Sequence, residues 1–213
     1  MKRVMLTVAY DGTNYHGWQL QTNGISIEEV LNRCLTELLK EPVQVIGASR
    51  TDSCLLYTST EEALYTFTKN LSCVVEYAEK MGVVVAIEPV CRHIVYDARR
   101  ARQVLRSIQS PNLQIILDPV NLLDDCDAGR YKDVVKEAIE LLGEDVAVIH
   151  VKDFSVSDGK IVSMAAGTGI MDYSDLIRFM KMDKPYIHAT LEDTVPENAV
   201  QAREFMERLW NEA

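Results

Sequence analysis

The chain lacks any run of about 18 consecutive apolar residues, so nothing in it reads as a membrane-crossing helix. It opens Met1-Lys2-Arg3 and passes at once into alternating apolar and polar positions, without the apolar block of a secretory signal. A cytoplasmic protein with no membrane partner is the expectation. The five cysteines, Cys34, Cys54, Cys73, Cys91 and Cys126, are an odd number and include no CxxC pair. This argues against a disulfide framework and against a structural zinc site, and leaves buried thiols as the expected state of most of them. Positive charge is also short: 22 Lys and Arg stand against 32 Asp and Glu, a formal charge of −10. Residues 1–53 hold five Lys or Arg and six Asp or Glu, so nearly all the acidic excess falls in the remainder. Such a surface repels a phosphate backbone, because non-specific nucleic-acid binding rests on Lys and Arg neutralising phosphates. The long second part is therefore a poor surface for tRNA or DNA.

What is present begins with ordinary globular content. A chain of 213 residues, 47% hydrophobic and 25% charged, can bury a core and suffices for one or two domains. Between Val83 and Thr194 four β-branched runs recur: VVVAIEPV, LQIILDPV, DVAVIHVKD and YIHATLEDT. Their spacing, roughly 30 residues or a little more, is that of βα units in a parallel sheet. The intervening segments have helical spacing. Ser59 with Glu62 forms an expected capping box for a helix through Ala63, Phe67, Leu71, Val74, Val75 and Ala78, ending at Gly82. Asp97 is expected to cap a helix bearing Ala101, Val104, Leu105 and Ile108; Val134, Val135, Ala138, Ile139 and Leu142 mark the next, closed by Gly143. Asp172 is expected to cap a helix through Leu176, Ile177 and Met180, and Pro196 to stand in the first turn of a last one through Val200, Phe205, Leu209 and Trp210. The order α(βα)4 is half of an eightfold α/β barrel.

Each strand run finishes on a metal-competent side chain: Glu88, Asp118, His150 and Glu192. In such barrels the chemistry sits at the C-terminal ends of the strands, and residues of one parity point inward. Val146 and Val148 share parity with His150, and His188 and Thr190 with Glu192. The four side chains are thus expected to converge on one end of the sheet. Two Glu, one Asp and one His form a mixed oxygen and nitrogen set suited to Mn²⁺, Mg²⁺, Co²⁺ or Zn²⁺.

Glu88 in AIEPV, Asp118 in ILDPVN, His150 in IHVKD and Glu192 in TLEDT resemble the ligand set of the sugar phosphate isomerase/epimerase superfamily, the xylose isomerase-like TIM barrels that include endonuclease IV. The resemblance covers residues 60–213. It implies the C-terminal half of a (β/α)8 TIM barrel, a divalent metal held by these four residues, and a small sugar or sugar-phosphate substrate. Glu88 and Glu192 would be the acid/base pair moving a proton through a cis-enediolate. Asn121 stands where related epimerases often carry a substrate-contacting histidine, and His93, Lys152 and Asp153 are further candidates for the substrate pocket. Four strands do not close an eight-stranded barrel, so the open edges are expected to invite a homodimer.

The first 53 residues read differently. VMLTVAY alternates as a strand, DGTNYHGWQLQTNG is a turn-rich loop, Ser26 and Glu29 cap a helix through Val30, Leu31, Cys34, Leu35, Leu38 and Leu39, and VQVIGAS is a second strand leading into Arg50-Thr51-Asp52. AYDGTNYHGWQLQ, the helix and GASRTDS resemble the opening of the bacterial tRNA pseudouridine synthase A family. The resemblance implies a short βαβ segment of α+β type, needing no cofactor, with Asp52 as the catalytic carboxylate acting on a uridine of tRNA and Arg50 beside it. It stops at Ser53: where the family continues RTD-[SA]-G-V-H, this chain reads Cys54-Leu55-Leu56. Cys54 to Ser59 fits neither neighbour, lacks the Gly, Pro and charge of a linker, and resembles a translated sequencing-adapter peptide. The expected organisation is a chimera of 1–53, an artificial junction at 54–59, and 60–213. Its expected activities are a metal-dependent isomerase, incomplete in this chain, a tRNA pseudouridine synthase from the N-terminal fragment, or none.

Overall fold

The structure, a computed structural model, describes Leu20, residues 24–45 and residues 59–213. The chain divides into two compact units, Met1–Leu55 and Leu56–Ala213.

In the first unit helix α1 runs Ile27–Leu39. The Ser26 hydroxyl accepts from the Glu29 amide at 3.3 Å, and Glu28 and Glu29 place negative charge in the first turn, where the helix dipole favours it. After the left-handed Lys40, the Val43 and Val45 amides donate to Thr36 Oγ1 and Asn32 Oδ1, so side chains of the helix hold the start of the expected second strand. The rest of that strand, the strand VMLTVAY, and Arg50 and Asp52 lie outside the described residues.

The second unit alternates helix and strand as the periodicity implies: α2 (Glu61–Met81), β1 (Val85–Ile87), α3 (Ala98–Ile108), β2 (Leu113–Leu117), α4 (Tyr131–Leu142), β3 (Val146–Val151), β4 (Asp153–Ser157), β5 (Lys160–Met164), α5 (Ser174–Asp183), β6 (His188–Leu191) and α6 (Ala199–Glu212). Strands β1, β2, β3 and β6 form one parallel sheet in that order. Val85, Ile87, Leu113, Ile115, Leu117, Ile149 and Val151 pack into a core with Ala101, Val104, Ala138, Leu142, Leu176 and Ile177. The alternate residues Gln114, Ile116, Val148 and His150 are only half-buried, and His188 and Thr190 on β6 are exposed. One face is covered by helices and the other is the inner wall of a barrel segment. Among the described residues no helix is long and apolar enough to cross a membrane.

Several local expectations shift. Ile115 pairs with Val146 but Ile116 with Val148, a bulge that leaves Ala147 unpaired. It reverses the parity of Val146, which joins the helix-side core instead of sharing the face of His150. The cap of α2 is Thr60, whose hydroxyl accepts from the Ala63 amide at 3.1 Å, not Ser59. Leu64, Val75 and Ala78 are the buried stripe of α2, and Val74 is turned to solvent. Asp172 precedes α5 without capping it: Tyr173 stands at the N-cap, and Asp172 accepts from the Ser174 amide and hydroxyl and from Lys132. Pro196 lies in a turn three residues ahead of α6. Asp97 caps α3 as expected, accepting from the Arg100 amide at 2.8 Å. Cys34, Cys73 and Cys126 are exposed and Cys91 half-buried: Cys73 faces away from the buried stripe of α2, and Cys91 and Cys126 stand in the β1–α3 and β2–α4 connections. The antiparallel hairpin β4–β5 is unanticipated; Asp158-Gly159 turn it with both φ positive, at 50° and 73°.

Candidate metal centre

The parallel register determines which side chains meet. Leu117 pairs with Ile149, and Val151 with Leu191, so Asp118 falls level with His150, and Glu192 falls level with Lys152, two residues beyond. The Glu192 amide extends the ladder by donating to the Val151 carbonyl at 2.9 Å. Glu88, two residues after Ala86 on the inner face, completes the set. One ligand atom each of Glu88, Asp118, His150 and Glu192 lies within 4.8 Å of all the others.

The chain fixes these groups one by one. Asp118 is fully buried; its Oδ1 accepts from the Val120 and Asn121 amides at 2.9 and 3.0 Å, which turns Oδ2 toward the cluster. Asn121 Nδ2 donates to Glu88 Oε1 at 2.7 Å. His150 Nδ1 stands 2.8 Å from Glu192 Oε1 and 3.5 Å from Glu88 Oε1. Lys152 Nζ lies 2.9 Å from both Asp118 Oδ2 and Glu192 Oε2. Asp118 Oδ2 and His150 Nδ1 nonetheless have no hydrogen bond of acceptable geometry among the described residues, although both atoms are buried. Close approach without directed bonding, at two donors of one cluster, is an arrangement a divalent cation would satisfy. The set fits a divalent ion: three carboxylates and an imidazole, with Asp118 braced by two backbone amides, Glu88 by Asn121 and Glu192 by Lys152.

Burial pushes the Asp118 carboxyl up to about 6, against the pull of Lys152 and the backbone amides. For Glu192 burial acts in the same direction but is outweighed by the Lys152 ammonium and by His150, and the carboxyl is held below its usual range. Burial opposes the charge on Lys152, and Asp118 and Glu192 more than compensate, raising it.

Of the remaining sequence candidates, Asn121 and Lys152 reach the cluster and Asp153 does not. Opposite in parity to Lys152, Asp153 is buried, and its carboxylate accepts from the amides of Phe154, Gly167 and Met171 at 2.8, 3.1 and 2.9 Å. It organises the loop leading to α5 rather than lining a pocket. His93 is half-buried in the β1–α3 loop, where its amide donates to the Val90 carbonyl at 3.0 Å and the adjacent Cys91 amide donates to the Asn121 carbonyl at 2.6 Å. Arg50 and Asp52 lie outside the described residues. What the sequence reading missed was the support: Asn121 braces Glu88, and the Tyr173 hydroxyl donates to the Lys152 carbonyl at 2.9 Å. Neither has a local signature, since each joins residues far apart in the chain.

A parallel βα sheet with Glu, Asp, His and Glu at its C-terminal edge is a portion of an α/β barrel whose chemistry gathers at one mouth. The family model of xylose isomerase-like TIM barrels matches residues 40–209, and the chain belongs to that family. A D-tagatose 3-epimerase-like protein of known structure superposes with a TM-score of 0.58 at 19% identity, over 79% of this chain and 61% of that one. A xylose isomerase-like TIM barrel protein from Mycobacterium smegmatis, solved with magnesium, gives 0.56 at 10% identity over 79% and 59%. The tRNA pseudouridine synthase A of Thermoanaerobacter pseudethanolicus is 53% identical over 53 residues, 25% of this chain and 22% of that protein. The chain thus spans about three-fifths of the solved barrels and about a fifth of that curated relative.

Proposed function

We propose that residues 60–213 carry the metal site of a divalent-metal-dependent sugar or sugar-phosphate isomerase/epimerase. The observation that carries this reading is the convergence of Glu88, Asp118, His150 and Glu192 within 4.8 Å at the C-terminal edge of the sheet. Membership of the barrel family and likeness to an epimerase-like protein support it. A divalent ion on these four donors, Mn²⁺, Mg²⁺, Co²⁺ or Zn²⁺, would polarise substrate oxygens and acidify the adjacent C–H. Glu192, whose carboxyl is already held below its usual range in the metal-free protein, is the base for that proton. Glu88, oriented by Asn121, returns a proton to the other face and so completes transfer through a cis-enediolate. Asn121, Lys152 and His93 border the space for a small polyhydroxylated substrate.

The test couples binding to turnover. Mn²⁺ binding by calorimetry near neutral pH, together with metal-dependent exchange of a ketose C–H proton that Glu192→Gln reduces by at least about 10²-fold, is the expected result. Absence of metal binding by the folded protein refutes the reading.

The second reading concerns the N-terminal segment and is favoured by its 53% identity to pseudouridine synthases. There Asp52, with Arg50, is the carboxylate acting on uridine in tRNA. With only about a fifth of that enzyme's length matched, pseudouridine formation by this chain is expected to be absent. An activity lost in Asp52→Ala would reverse that expectation. The division into 1–53, a junction at 54–59 and 60–213 is supported by the unit boundary at Leu55–Leu56. If the junction is an artificial join, the chain is a chimeric translation whose barrel site is inactive. Source-DNA reads running unbroken through codons 53 to 60 would refute the join.

A further inference from the structure

The four donors share their mouth with a cation belonging to the chain. Lys152 follows His150 by two residues, so strand alternation turns both side chains to the inner face. Its ammonium sits 2.9 Å from Asp118 Oδ2 and 2.9 Å from Glu192 Oε2, with only 7% of the side chain exposed. These oxygens belong to two of the four clustered residues. Three carboxylates gathered in so little water would repel one another strongly without an opposing charge. Lys152 supplies that charge from a strand whose backbone the Tyr173 hydroxyl clamps at the Lys152 carbonyl. Nζ does not give Asp118 Oδ2 a hydrogen bond of proper geometry, so attraction of charge rather than a directed bond holds that pair. A compact ammonium on a four-carbon stem can withdraw by side-chain rotation alone, which a rigid guanidinium fork would not do as readily.

We propose that Lys152 is the resident counter-cation of this centre: its ammonium holds Asp118 and Glu192 in ligand-ready positions and is displaced when a divalent ion takes the same two oxygens. The inference rests on the metal-centre reading above and adds that the two cations compete. Lys152 is then a positioning residue, and the metal-free and metal-loaded proteins depend on it in opposite ways. Removing it destabilises the former and tightens metal binding in the latter.

The test uses the full chain as wild type, as Lys152→Met, which keeps the stem length and removes the charge, and as Lys152→Met combined with Glu192→Gln. Two quantities are read: the melting temperature in chelator, and the Mn²⁺ affinity by calorimetry. Expected for Lys152→Met are a melting temperature in chelator lower by at least about 5 °C and Mn²⁺ binding tighter by about tenfold or more. The added Glu192→Gln should recover most of the lost melting temperature, because it removes one of the carboxylates left uncompensated. A chelator melting temperature unchanged in Lys152→Met, or Mn²⁺ binding unchanged or weaker there, overturns the proposal. If Lys152→Met does not fold, recovery of folding in the double variant supports the proposal and failure to recover overturns it. If no variant binds Mn²⁺, displacement falls together with the metal-centre reading, and the melting temperatures still decide whether Lys152 compensates the carboxylates.

Discussion

At the scale of single residues, burial sets the behaviour of the centre more than charge count does. Asp118 is fully enclosed, and burial pushes its carboxyl up to about 6, above the usual carboxylate range. A metal ligand must be deprotonated, so Mn²⁺ affinity is expected to hold steady above about pH 7 and to fall about tenfold per unit below about pH 6. Calorimetry at about pH 5 and about pH 7.5 checks it. In the metal-free protein the raised pKa has a second consequence: the folded chain keeps a proton that the unfolded chain releases. The contribution of Asp118 to stability therefore declines as pH rises from about 4 to about 6, and Asp118→Asn removes that decline. Asp153 shows the other use of a buried carboxylate, in which three backbone amides satisfy it. A Cβ at Gly169 would overlap both the Phe154 carbonyl oxygen and Asp153 Oδ1, and a backbone carbonyl has little room to move. Gly169→Ala is thus expected to destabilise by about 3 kcal/mol or more, and Asp153→Ala by a similar amount, each read from denaturant unfolding.

At the scale of elements, the helices and parallel strands were legible because their signals are local. Ala101, Val104 and Leu105 on α3 recur at helical spacing and are all buried, and Asp97 caps that helix from the position where a capping residue is expected. Asp97→Ala should lower stability by about 1 kcal/mol, measured by thermal or denaturant unfolding, with no change in Mn²⁺ affinity. The β4–β5 hairpin went unread although Asp158-Gly159 between FSVS and KIVSM is a strong two-residue turn signal. The hairpin is an insertion between β3 and α5, so the βα spacing does not reveal it. The reversed parity of Val146 had no such signal. A bulge is a compromise between neighbouring strands, and it shows only when Ile115 and Ile116 are set against their partners.

At the scale of the whole molecule, β1 and β6 each pair on one side only among the described residues, and Val83, Val84 and Tyr186 near these edges are exposed. Unpaired parallel edges next to apolar side chains favour self-association, and a second copy of the chain is the partner that offers the matching edge. Sedimentation at about 50 µM is expected to show a dimer, shifted toward monomer by Val84→Lys; a wild-type monomer would refute this. The sequence by itself determined the alternation of helix and strand, and the placing of Glu88, Asp118, His150 and Glu192 at strand ends, because apolar periodicity and strand length are properties of neighbours along the chain. Only the tertiary structure decided that these four side chains meet within 4.8 Å, that Asn121 braces Glu88, that Lys152 lies between Asp118 and Glu192, and that Asp153 turns away from them. Register, bulge and burial are relations between strands some thirty or more residues apart, and no local pattern encodes the distance across which two carboxylates and an ammonium come to share a site.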